Sequence, residues 1–308
     1  MADNQKAAPA VSARAGLLRL ATRASVITAV VLILAKLAAW LVTGSVSILA
    51  SLVDSVMDSL ASLINLFAVR YSLQPADAEH RFGHGKAEPL AALAQAAFIS
   101  GSAIFLILHA IDRLRYPHPM EAVGVGVLVM GFSILVTLGL LAIQRYVIRK
   151  TGSTAIRADA LHYASDLLTN ASIILALYFA SRGWNWADPV FAVVVAIYLF
   201  ISAVRIGYTA LQQLMDRELP DKIQHRILAA ASKVPGVIGV HDLRTRQSGQ
   251  TRFVQLHLEL DAGLPLGEAH AIADTVDGRI KAILPDAEII IHQDPVAVDR
   301  RNACPGDV

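Results

Sequence analysis

Two aspartates in the middle of an apolar run constrain this chain more than any other feature. The stretch Ser47–Arg70, SILASLVDSVMDSLASLINLFAVR, is long and apolar enough to cross a bilayer, yet it carries Asp54 and Asp58 four residues apart. On a helix that spacing stacks both carboxylates on one face, one turn apart. A carboxylate near a bilayer centre costs about 2.5–3.5 kcal/mol on insertion scales, and two side by side also repel. Such a pair is tolerable only if a cation sits between them or protons come and go. A second stretch, Thr154–Ala180, repeats the spacing with His162 and Asp166. If the two helices face each other, three carboxylates and one imidazole meet at one point. That donor set suits a tetrahedral divalent ion, zinc first. The plain alternative is a set of protonated or hydrogen-bonded packing residues, but acids inside a membrane are functional by default.

Composition agrees with a membrane reading. Of 308 residues, 55% are hydrophobic and 17% charged, the profile of a polytopic membrane protein with a soluble portion. A net charge of +2 gives no argument for nucleic acid. The one cysteine, Cys304, excludes thiolate metal sites and internal disulfides. Arg14, Arg19 and Arg23 precede an apolar run and mimic a signal peptide. That run extends to about Val42 with no small-residue cleavage site close behind, so it reads as a retained first span.

Six apolar segments follow in order, each near or above the ~20 residues a span requires: roughly 22–43, 47–72, 88–112, 120–147, 155–180 and 187–209. Residues 1–15 read as a disordered N-terminal tail, 16–210 as the six-helix transmembrane domain, 211–297 as a soluble domain and 298–308 as a further tail. Orientation follows from the basic residues of short loops. One side holds Lys6, Arg14, Arg19, Arg23, Arg70, Arg81, Lys86, Arg145, Arg149, Lys150 and Arg157. The other holds Arg113, Arg115 and Arg182. This excess puts both termini in the cytoplasm of a multi-pass protein of the inner, or plasma, membrane.

The soluble part reads as α+β in the order αββαβ. A helix at Asp221–Val234 has Ile223, Ile227, Leu228 and Ala231 on one face. Strands at Val240–Arg246 and Arg252–Asp261 flank a Ser248–Gly249 turn. In the second, Val254, Leu256, Leu258 and Leu260 share one face and His257 lies on the other. A helix at about Leu266–Leu284 and a strand at Glu288–His292 complete the unit. By alternation His292 and Asp294 share a face opposite Ile291.

Two further groups could hold metal. His241, His257, His270 and His292, with Asp294, are spread over the soluble domain. Each alone is an ordinary solvated side chain; the case for metal is collective. The loop Gln74–Lys86, QPADAEHRFGHGK, brings Asp77, His80 and His84 together. Spacing alone leaves that loop balanced between a metal site and a polar turn.

These segments together resemble the cation diffusion facilitator family, close to its YiiP-type bacterial zinc transporters. The most specific pieces are the run from SLVDSVMDS through FGHGKAEPLAALAQAAFISG, the ALHYASD segment, and His241, His257, His270 and IIIHQDP. The resemblance runs from the first span to Pro295. It implies six transmembrane helices followed by a cytoplasmic ferredoxin-like αββαβ domain. It implies a transport site of Asp54, Asp58, His162 and Asp166 and a loop site of Asp77, His80 and His84. It also implies a dimer-stabilising cluster of His241, His257, His270, His292 and Asp294, with Lys86 and Asp216 at the positions of a membrane-surface ion pair. The family pattern often has a second acid after the loop aspartate; here it is Ala78.

The expected activity is export of zinc in exchange for protons by a homodimer in the lipid bilayer, with cadmium or ferrous iron as alternative cargo. When the ion leaves, crowded acids take up protons, so metal and protons compete for one site. No GxxxxGK[ST] stretch is present, so no ATP use is expected. An intramembrane hydrolase is disfavoured: HExxH is lacking, and four protein ligands leave no open position for water. A membrane metal sensor or receptor without transport is the remaining alternative; acid pairs inside the spans would then be costly and idle.

Overall fold

A computed structural model describes residues 4–115, 124–180, 182, 184 and 186–297. His118, Cys304 and the expected 298–308 tail lie outside the described residues. The chain divides into a helical unit over Pro9–Leu214 and a smaller unit from Met215 onward.

The helical unit contains α1 (Asn4–Thr43), α2 (Val46–Ser72), α3 (Ala87–Arg115), α4 (Gly124–Thr151), α5 (Thr154–Ala180) and α6 (Ala187–Leu214). Five of these, all but α5, hold segments long and apolar enough to cross a membrane. The similarly long α5 carries Arg157, Asp159, His162, Asp166 and Asn170 among its apolar residues. The expected disordered tail at 1–15 is corrected: α1 is helical from Asn4. That segment holds Ala7, Ala8, Ala10, Ala13 and Ala15, and alanine has the highest helix propensity, so a polar appearance is no barrier to helix.

Small residues let helices approach closely where lipid offers no hydrophobic drive. Ala92, Ala96 and Ala103 of α3 pack against Ala203, Ile206 and Ala210 of α6. A Cβ added at Gly207 would come 3.3 Å from that of Ala96. This pairing holds Leu161 and Ala158 of α5 in the same core, and so fixes the helix that carries His162 and Asp166.

The smaller unit contains α7 (Asp221–Ala231), β1 (Gly239–Ser248), β2 (Thr251–Asp261), α8 (Leu266–Ile283) and β3 (Ala287–Val296). The αββαβ order holds. The sheet order is β1-β2-β3, with β1 antiparallel and β3 parallel to the central β2. Val254, Leu256, Leu258 and Leu260 form one core with Ile227 of α7 and Ala273, Val276 and Ile280 of α8. The helices thus cover one face and leave the other, with His257, open. The third strand runs past the expected His292 end to Val296, because Pro295 sits on an edge strand, where a missing donor is tolerated.

Gly236, between α7 and β1, has φ +90, and a Cβ there would meet Ile272 Cδ1 at 2.7 Å. Gly236→Ala is therefore expected to destabilise this unit by about 1–3 kcal/mol, read as a lowered midpoint in thermal unfolding of the full chain.

Candidate metal centres

Among the described residues, three groups of His and Asp place one potential ligand atom each within 4.8 Å of one another: Asp58, His162 and Asp166; Asp77, His80 and His84; and His241, His257 and Asp294.

The first group lies inside the helical unit. Asp58 comes from α2 and His162 and Asp166 from α5, where the four-residue spacing aligns each pair along its helix. His162 Nε2 stands 3.1 Å from Asp58 Oδ1, yet the ring is buried and this nitrogen makes no aligned hydrogen bond. A buried acceptor without a partner normally costs about 1–3 kcal/mol; one facing carboxylates suits a ligand awaiting an ion. Asp54 lines the same cavity of about 140 Å³ as Asp58 and Asp166, one turn further along α2. Asp54, Asp58 and Asp166 therefore border one space, and His162 stands in mutual ligand range of Asp58 and Asp166.

Two features beside this site, one half-buried and one buried, escaped the sequence reading. Lys36 of α1 lines the cavity and donates to Ser51 O at 3.1 Å and Ser55 Oγ at 2.6 Å. Its signal was visible: a lone cation inside the apolar run 24–42. On the other side of the site is Asp159, fully buried, three residues before His162. Its Oδ2 accepts from Ser25 Oγ at 2.6 Å and Gln144 Nε2 at 2.8 Å. Tyr163 Oη donates to Ser25 O at 2.9 Å and lies 2.8 Å from Ser62 Oγ. This knot ties α1, α2, α4 and α5 together toward the C-terminal end of α2. The cavity extends toward the N-terminal end of α2 as far as Ser51.

The second group forms in the loop between α2 and α3. Asp77 Oδ1 accepts from the backbone nitrogens of His80 at 2.6 Å and Glu79 at 3.0 Å, so the carboxylate itself shapes the turn. Asp77 Oδ2 is 3.2 Å from His84 Nε2, and Oδ1 is 3.5 Å from His80 Nδ1. The His80 backbone bond first, then that from Glu79 and the charges of His84 and His80, hold the Asp77 carboxyl below the usual aspartate range. It stays a carboxylate, the form a metal requires. His84 is buried against Tyr71, ring centroids 4.5 Å apart, while Asp77 and His80 are exposed. One wall is thus rigid although Gly83 takes φ +76.

The third group sits on the open face of the sheet. Register places His241 opposite His257 and His257 opposite His292, so three imidazoles line up across β1, β2 and β3. Asp294 is their common partner: 2.8 Å from His257 Nδ1, 3.2 Å from His241 Nε2 and 3.2 Å from His292 Nε2. The His257 hydrogen bond, followed by the charges of His257, His292 and His241, holds Asp294 below the ordinary aspartate range. A bulge between His241 and Arg244, with Asp242 at φ 47, aims Asp242 back toward His257, 3.7 Å away. His270 does not join this group. It lies on α8 beside Asp274 at 3.6 Å, and α8 packs on the opposite face of the sheet.

Within their own units, Lys86 donates to Leu214 O at 3.3 Å and Asp216 accepts from Arg246 at 3.5 Å.

The arrangement matches known proteins along nearly its whole length. Residues 22–215 match the model for the cation efflux transmembrane domain, and residues 219–296 that for the cation efflux protein cytoplasmic domain. The Cation-efflux pump FieF of Shewanella oneidensis is 53% identical over 281 residues, 91% of this chain and 95% of that protein. The Cation-efflux pump FieF of Klebsiella pneumoniae is 54% identical over 283 residues, 91% of this chain and 94% of that protein. A solved MamM CTD in a nickel form is 28% identical, covering 25% of this chain and 99% of that one, with a TM-score of 0.24. With both family models matched in order, and with relatives more than half identical over nine-tenths of its length, the chain belongs to the cation efflux family, the cation diffusion facilitators, and to their YiiP type.

Proposed function

We propose that this chain exports zinc from the cytoplasm in exchange for protons, by alternating access at Asp54, Asp58, His162 and Asp166. The supporting observation is that Asp58, His162 and Asp166 reach one another from two helices, and that Asp58 and Asp166 border a cavity shared with Asp54. Relatives named cation-efflux pumps support the direction. Metal and protons neutralise the same acids, so neither is tightly held while the other is bound, and an inward proton gradient performs the work. The loop group captures or hands on ions at the end of α2. The Asp294 group binds zinc between two copies of the chain, with His270 supplied across the dimer, and so couples cytoplasmic zinc to the membrane part. The protein acts as a homodimer in the inner membrane with both termini cytoplasmic; cadmium and ferrous iron are secondary cargo.

Zinc flux into liposomes carrying a pH gradient tests the reading. Flux that collapses with the gradient supports it. Gradient-independent flux removes proton exchange, and no flux in any condition favours a metal sensor built on the Asp294 group alone.

His162 also sets selectivity, because imidazole suits zinc whereas all-oxygen sites suit manganese. His162→Asp is expected to raise manganese transport relative to zinc on the order of tenfold, measured by paired flux assays. An unchanged ratio would count against the assignment.

A further inference from the structure

We propose that Lys36 sets the charge of the transport site, so that one divalent metal ion, or two protons in its place, neutralises it. This rests on the reading of Asp54, Asp58, His162 and Asp166 as the cargo site.

Lysine near the middle of a membrane helix is costly unless it reaches the interface or a partner. Lys36 takes partners that are not carboxylates. It lines the cavity with Asp54, Asp58 and Asp166, and its hydrogen bonds go to Ser51 O at 3.1 Å and Ser55 Oγ at 2.6 Å rather than to a carboxylate. Those two positions lie one turn before Asp54 and Asp58 on α2. An ammonium has three donors; two hold it to the α2 backbone and hydroxyl, beside the acids but not among them. The cation is thus tethered where its field acts on the site without filling it.

The consequence is a matter of charge. Three carboxylates and one ammonium leave the site two negative charges, with His162 neutral as a ligand must be. One divalent ion brings the sum to zero. A monovalent ion leaves it negative and a trivalent one leaves it positive, and residual charge in a low-dielectric interior is expensive. Without Lys36 the loaded site keeps one negative charge, and the dication is held harder. A transporter must let its cargo go, so the lysine favours release as well as valence selection.

The test compares zinc transport by the full chain in liposomes for wild type, Lys36→Met, Lys36→Arg and Ser55→Ala. Lys36→Met keeps the length and removes the charge. It is expected to lower KM for zinc about tenfold or more and to lower kcat with it. Lys36→Arg is expected to stay within about twofold of wild type. Ser55→Ala frees the ammonium to reach the carboxylates, and KM is expected to rise. A merely structural or interface-seeking lysine would lower the amount of folded protein, or kcat alone, without lowering KM. An unchanged or raised KM in Lys36→Met overturns the proposal. Should Lys36→Met fail to fold, an unchanged KM in Ser55→Ala does so equally. If wild type itself shows no saturable zinc flux, the site reading fails instead, so the two failures are distinct.

Discussion

Replacing Asp58 by alanine is expected to reduce zinc flux on the order of 100-fold or more, a larger loss than supporting partners of a metal ligand typically produce. Asp58 is the residue through which α2 reaches α5: its Oδ1 stands 3.1 Å from His162 Nε2, and it belongs to the mutual ligand group with Asp166. Its removal leaves His162 and Asp166 on a single helix, with Asp54 a turn away. Two donors from one helix hold a dication poorly against water. Because one half-buried charge is lost, the fold itself is expected to survive. The measurement is zinc uptake by a fluorescent reporter inside liposomes, with thermal unfolding and zinc binding to the soluble domain as controls. Undiminished flux in a folded Asp58→Ala protein would remove the transport site from this cavity.

The second large effect is expected at Asp294. This carboxylate is the common neighbour of His241, His257 and His292, each at 3.2 Å or closer. Asp294→Ala deletes the one anionic ligand and leaves three imidazoles to repel when protonated. Zinc affinity at the soluble domain is expected to fall about 100-fold or more, seen by calorimetric titration of the full chain as the loss of one class of sites. Asp294→Asn keeps the shape and loses the charge, and is expected to fall between the two. Flux at saturating zinc is expected to change far less than in Asp58→Ala. Retained affinity in Asp294→Ala would show that the histidines do not work as one centre.

The sequence disclosed the spans and the acid pairs because both rest on strong, local signals: long apolar runs, and charges where lipid forbids them. Alternation placed His257 opposite the core, since Val254, Leu256, Leu258 and Leu260 could face only one way. What it could not disclose depended on contacts distant in the chain. Lys36 has no partner near it in the sequence; Ser51 and Ser55, which hold it, come from α2. Asp159 is one of two acids on α5, and its partners Ser25 and Gln144 come from α1 and α4. The convergence of three imidazoles on Asp294 depends on strand register, and the bulge after His241 has no sequence signature that reading by alternation can detect. His270, which chemistry alone groups with the others, is separated from them by the thickness of the sheet.

The order of strands in the small unit carries a temporal consequence. β2 is central, but its partner β3 is the last of the three to leave the ribosome, and Asp294 lies near its far end. A nascent chain therefore displays His241 and His257 before Asp294, their shared partner, has emerged. On the proposed reading, the metal centre of this domain is complete only once β3 has joined the sheet.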